Sequence, residues 1–124
     1  MNLVDSCGWL EYLADGPNAT FFASAIESTE ELLVPTICIL EVFKRVLQQR
    51  GEDSALQSAA LMQQGQVIDL DSGTAVTAAK IGHEIKLPLA AAVIVATARI
   101  HHAVIWTQDA DLKAVEGVKF VKKR

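Results

Sequence analysis

A basic excess, paired cysteines, a linker rich in glycine or proline, and a long apolar run are all missing from this sequence. Of its 124 residues two are cysteine, three proline and seven glycine, and aromatics make up 6%. Cys7 and Cys38 stand in apolar surroundings without C-x-x-C spacing, which excludes a disulfide framework and a zinc knuckle. The most apolar stretch, residues 87–98, is too short to span a bilayer and opens with Pro88, so no membrane association is expected. Residues 1–5 form neither a basic n-region nor an apolar h-region, and a cytoplasmic location is expected. Lys and Arg number 11 against 15 Asp and Glu, a net charge of −4. That balance opposes a general nucleic-acid-binding surface, yet it leaves room for an enzyme that holds cations and meets nucleic acid locally.

What is present suits one folded domain over residues 1–124. Hydrophobic residues make up 51% and charged residues 21%, interspersed too evenly for a disordered chain. A chain of this length buries roughly two thirds of its unfolded surface and needs no staple.

Short punctuation marks (Asp15-Gly16-Pro17, Val34-Pro35, Gly51, Gly65, Asp71-Ser72-Gly73, Pro88, Gly117) separate alternating elements. Strands are expected at residues 2–4, 32–34, 66–70, 103–106 and 118–121. Helices are expected at 9–13, 18–28 with Asn18 as N-cap, 36–50 capped by Thr36 and ended by Gly51, 54–64, 73–85, 89–102 and 110–115. The helix at 89–102 is apolar on every side up to Arg99 and should be central. Phe21, Phe22, Ile26, Leu56 and Met62 are expected in the core. Strand–helix alternation of this kind implies an α/β fold, a parallel sheet of about five strands with helices on both faces.

In such sheets the functional crevice lies beyond the carboxyl ends of the strands. Asp5 follows the first strand. Thr107-Gln108-Asp109-Ala110-Asp111 follows the fourth. Each acid alone reads equally well as an N-cap. Two strand ends that both deliver acids, with a third acid nearby, point to a metal site. Glu41 is the only charge in the run from Thr36 to Phe43. A helical wheel puts Ile39, Leu40, Val42, Phe43, Val46 and Leu47 on the apolar arc and Glu41 opposite. Periodicity therefore favours a solvated Glu41 paired with Arg45. Carboxylates that do cluster stay ionised mainly where a divalent cation neutralises them. Hard oxygen ligands without His or Cys select Mg²⁺ or Mn²⁺, and such a set suits hydrolysis of a phosphodiester.

Four segments in order carry a resemblance across essentially the whole chain: residues 3–13 (LVDSCGWLEYL), 36–45 (TICILEVFKR), 87–99 (LPLAAAVIVATAR) and 106–112 (WTQDADL). Together they resemble the PIN-domain family, most closely the VapC-type toxins of bacterial toxin–antitoxin pairs. The resemblance implies a three-layer α/β fold and a Mg²⁺- or Mn²⁺-dependent endoribonuclease acting on transfer RNA or other structured RNA. Asp5, Glu41 and Asp109 would be the catalytic acids and metal ligands, with Asp111 an auxiliary ligand. Ser6 and Thr107 match supporting hydroxyl positions. It overrides the wheel for Glu41. It further implies a VapB-type antitoxin as partner, contact with operator DNA only through that antitoxin, and a homodimer. The departure is Ala91, which stands where the family has its third acid. One metal ligand is lost, and this copy should be inactive or strongly impaired. An engineered Asp→Ala exchange, favoured by the otherwise intact motifs, and natural degeneration to a binding module both account for it.

Outside these segments, Lys44, Arg45 and Arg50 on one helix, and Lys119, Lys122, Lys123 and Arg124, could contact RNA phosphates or simply be solvated. His83, His101 and His102 lack metal-site spacing, and Cys7 reads as a small buried residue. A phosphoacceptor receiver domain shares the acidic strand end, but no central acceptor Asp or later catalytic Lys falls where one requires it.

Overall fold

A computed structural model describes all of residues 1–124. The order of elements is β1 (Asn2–Val4), α1 (Ser6–Leu13), α2 (Ala19–Ile26), β2 (Leu32–Pro35), α3 (Thr36–Arg50), α4 (Glu52–Met62), β3 (Gln66–Ile68), α5 (Ser72–Ile85), α6 (Leu89–Ile100), β4 (Val104–Thr107) and β5 (Val118–Phe120). Single 3₁₀ turns lie at Thr29–Glu31 and Ala110–Leu112. The five strands form one sheet in the order β3-β2-β1-β4-β5, and every pairing is parallel.

The central strands explain themselves chemically. Leu3, Val4, Leu32, Leu33 and Val34 are all buried, the continuous apolar run that a parallel sheet covered on both faces requires. Leu3 pairs with Leu33 on one side and Ile105 on the other. From β1 the chain steps outward to β2 and β3, then returns through α5 and α6 to β4 and β5. The two halves leave the middle of the sheet in opposite directions. With right-handed crossovers their helices fall on opposite faces, and a crevice opens between β1 and β4 where the order reverses.

Helix α6 is the central helix expected: Ala91 through Ala98 are all buried. Trp9, Phe22 and Met62 are fully enclosed and Ile26 nearly so. Gly8 lets α1 approach α2, because a Cβ there would stand 2.6 Å from the Phe22 ring and 2.7 Å from Val4.

Several expectations need correction. Leu56 is 53% exposed rather than core, because Ala55, Ser58 and Met62 form the inward side of α4. Phe21 is only half-buried, its ring tilted at 52° to that of Trp106 with centroids 5.1 Å apart. Neither Thr36 nor Asn18 caps by side chain. Pro35 occupies the N-cap of α3, and the Asn18 amide is turned inward to other partners. β3 ends at Ile68, and the last short helix is a single 3₁₀ turn. Gly51, at φ +89°, ends α3 as expected and starts α4 without a break, two residues earlier than the sequence suggests. No single helix is long and apolar enough to cross a membrane.

Candidate active site

Asp5 leaves β1 with extended backbone (φ −62°, ψ 156°), and its Oδ1 accepts the Ser6 N–H at 2.8 Å, so it caps α1. Its other oxygen faces β4. The Thr107 hydroxyl donates to Asp5 Oδ2 at 2.7 Å, and the same hydroxyl oxygen accepts the Asp109 N–H at 2.9 Å. The Cys7 thiol lies 3.4 Å from both Asp5 Oδ2 and Thr107 Oγ1. A single buried threonine thus ties the ends of the two strands at the switch point together.

Glu41, one and a half turns into α3, is half-buried. Its Oε1 accepts the Ser6 hydroxyl at 2.7 Å rather than meeting Arg45. The wheel placed it on the wrong side because Leu40 and Leu47 are exposed, at 59% and 43%. The buried stripe of α3 is instead Cys38, Val42 and Val46, with Glu41 at its margin.

Asp5, Glu41 and Asp109, from three separate elements, line one cleft of about 250 Å³. Ser6 and Cys7 also line it, as do Pro88, Ala91 and Ile94 of the α6 segment. Ala91 thus lines the same cleft as the three acids. Asp111 does not line the cleft. It is exposed, and its N–H donates to Asp109 Oδ1 at 2.9 Å, so Asp109 caps the 3₁₀ turn.

Burial is the main cause that raises the Asp5 carboxyl above the ordinary range. The bonds from Thr107, Cys7 and Ser6 oppose it, and the charge of Asp109 adds to it. Burial, with Asp5 beside it, also pushes the Cys7 thiol up to about 12, which keeps it a protonated donor rather than a thiolate. Sequence alone suggested a Cys7 that merely fills space. Its place two residues after a strand-end acid was the available signal. The pairing of Asn18, expected only as an N-cap, with Gln108 was missed. Both are buried, with Asn18 Nδ2 donating to Gln108 Oε1 at 2.9 Å and to the Lys122 carbonyl at 3.0 Å.

The donor chemistry suits Mg²⁺ or Mn²⁺, since every acid offers carboxylate oxygen. The geometry falls short of a cation site. No three His, Cys, Asp or Glu side chains come close enough to hold one ion. Both Asp5 oxygens and one Glu41 oxygen accept hydrogen bonds, and Ala91 adds a methyl group rather than a donor to the cleft lining.

Comparison with solved structures finds the same fold in a toxin–antitoxin complex from Klebsiella pneumoniae, with TM-score 0.79, 21% identity and 96% of each chain covered. VapC20 of Mycobacterium tuberculosis, described as a sarcin–ricin loop cleaving toxin, matches with TM-score 0.79 and 15% identity over 95% of this chain and 97% of that one. VapBC2 of Rickettsia felis, bound to a DNA fragment from its promoter, matches with TM-score 0.75 and 9% identity over 98% and 97%. No curated protein matches the sequence. The model of the PIN domain family matches residues 3–118, and with the acids of the cleft at the carboxyl edge of the sheet, the chain belongs to the PIN domain family.

Proposed function

We propose that this chain is the VapC-type ribonuclease toxin of a type II toxin–antitoxin pair, with a cleft disarmed at position 91. The observation that carries the reading is the convergence of Asp5, Glu41 and Asp109 on one cleft, with Ala91 as its fourth side. The fold shared with the Klebsiella, Mycobacterium and Rickettsia proteins supports it. The substrate class is RNA, transfer RNA or another structured RNA. A VapB-type antitoxin is the partner, operator DNA is reached only through it, and the toxin pairs as a homodimer.

In this reading hydrolysis depends on Mg²⁺ or Mn²⁺, which in such nucleases activates water and offsets phosphate charge. The residues of this chain do the rest. Thr107 and Cys7 hold Asp5 Oδ2, and Ser6 orients Glu41. Asp109 is held by its own N–H on Thr107. Asp111 acts on Asp109 through the backbone. With a methyl group at position 91 the acids lack the donor that would complete a cation site, and this copy cleaves slowly or not at all.

The test compares this chain with Ala91→Asp, both free of antitoxin, for RNA cleavage in Mn²⁺ and Mg²⁺. Cleavage restored by the acid and abolished by EDTA is the expected result. Two folded but inert proteins would instead favour a naturally dead module that binds protein or RNA.

A further inference from the structure

Two groups of exposed cations lie near the acids of the cleft, one on α3 and one after β5. On one side, α3 carries Lys44 and Arg45 one turn beyond Glu41. Both are exposed, and with Glu41 and Gln48 they line a surface concavity of about 440 Å³. Glu41 is the wall shared by this concavity and the acidic cleft. Because Glu41 turns to Ser6, it leaves Arg45 facing solvent.

On the other side, β5 runs parallel to β4 with Phe120 opposite Thr107, so residues 122–124 leave the sheet at the edge where Asp109 does. The Val121 N–H donates to the Thr107 carbonyl at 3.0 Å. The buried amide of Asn18 then holds the Lys122 carbonyl and the Gln108 side chain together, next to Asp109. Lys113 and Lys119 are spent on the rings of Phe120 and Trp106, at 5.6 and 4.5 Å. Lys122, Lys123 and Arg124 are exposed.

We propose that Lys44 and Arg45 on one flank, and Lys122, Lys123 and Arg124 on the other, form one phosphate track that carries an RNA strand across the acidic cleft. The inference rests on the reading of the cleft as a ribonuclease site and adds how an acidic protein holds a polyanion there. With a net charge of −4 and carboxylates at the centre, the scissile phosphate is repelled unless its neighbours along the strand are gripped. Cations on both sides of the cleft supply that grip without reading sequence.

The test uses the chain as it stands, in EDTA, so that binding is measured without cleavage. A labelled single-stranded RNA oligonucleotide is titrated by fluorescence anisotropy across a range of salt. Lys44→Ala with Arg45→Ala, and separately alanine at 122–124, are compared with Lys80→Ala plus Arg99→Ala, two exposed cations on α5 and at the far end of α6. Each cation removed from the track lowers the salt slope by about 0.7, which at roughly 0.1 M salt is about a five-fold weaker affinity. Both flanks should show that weakening and the control pair should not, with thermal melting verifying that all three stay folded.

Equal losses of affinity in the control pair reduce the effect to net charge and overturn the track. So does unchanged RNA binding in the flank variants, including the case where they lose a polyglutamate probe instead and the flanks prove to be a protein-docking face. Failure to bind RNA at all overturns it too. Cleavage by Ala91→Asp decides separately whether the ribonuclease reading falls with it.

Discussion

Placing an acid at position 91 should weaken the cation-free fold. Ala91 is 8% exposed and lines the cleft opposite three carboxylates. A fourth carboxylate there adds like-charge repulsion, which for one pair of unit charges roughly 6 Å apart is about 3 kcal/mol at an effective dielectric constant near 20. The cleft is open on one side and salt screens it further, so a net destabilisation of about 1–3 kcal/mol is the working figure. For a domain of this length each kcal/mol moves the melting midpoint by roughly 3–5 °C. Ala91→Asp in EDTA should therefore melt several degrees below the parent. Mn²⁺ at about a hundred times its Kd should return about 2.7 kcal/mol to the variant and much less to the parent, whose acids do not complete a site. Differential scanning calorimetry of both chains, with and without Mn²⁺, reads all four numbers. Equal midpoints in EDTA, or an equal response to Mn²⁺, would refute the claim that position 91 is the missing donor.

Three further outcomes follow from the hydrogen bonds and packing. Asp5→Asn should stabilise the protein by about 1 kcal/mol at neutral pH, because it removes a buried charge, and the Thr107 hydroxyl and Cys7 thiol can reverse to accept its amide. The native Asp5 carboxyl is raised by burial, so the penalty of keeping it ionised grows as pH climbs from the ordinary carboxylate range through the raised value. The gain should vanish in acid, and a gain independent of pH would sink the argument. Asn18→Ala should cost about 1–3 kcal/mol, since Gln108 loses a buried donor, and hydrogen exchange should quicken at Val121, whose N–H holds the β5 exit to β4. Gly8→Ala should cost about 1–3 kcal/mol by driving a methyl group into Phe22 and Val4, measured by urea unfolding.

The parts of this molecule legible in the sequence are those where one residue type has one physical explanation. An apolar run ending in an acid, as at Val4-Asp5 and Trp106 through Asp109, is a strand leaving a sheet edge, and the structure has both. A helix without a polar side, residues 89–98, packs at the centre over Ala91–Ala98, with only Leu89 of its large side chains left 86% exposed at its start. Asn18 illustrates the opposite case. An asparagine before a helix is an ordinary cap by local rules, but burial gave its amide two partners about ninety and a hundred residues away, and nothing local encodes them. α3 misled for a related reason. Its hydrophobic wheel sums side chains as if the helix had one apolar neighbour, whereas α3 packs against both α1 and α4. The stripe between them is the narrow Cys38, Val42, Val46 line, which leaves Leu40 and Leu47 in solvent and brings Glu41 to the cleft.

The capping and catalytic readings of Asp5 are not rivals, because the same turn serves both. Its Oδ1 caps α1 while its Oδ2 is held toward β4, so loss of activity in Asp5→Ala would be ambiguous between chemistry and folding. Glu41 is free of that ambiguity. It caps nothing, sits within α3, and makes one bond, from the Ser6 hydroxyl to Oε1. A glutamine keeps that acceptor, the shape and the helix propensity, and removes only the charge. In the Ala91→Asp background in EDTA, Glu41→Gln should raise stability to urea by about 1 kcal/mol, because it relieves like-charge repulsion in the cleft, while RNA cleavage in Mn²⁺ falls about a hundred-fold if Glu41 serves the proposed site. Retained cleavage would remove Glu41 from the proposed site and leave the carboxylates of Asp5, Asp109 and position 91 to carry the chemistry.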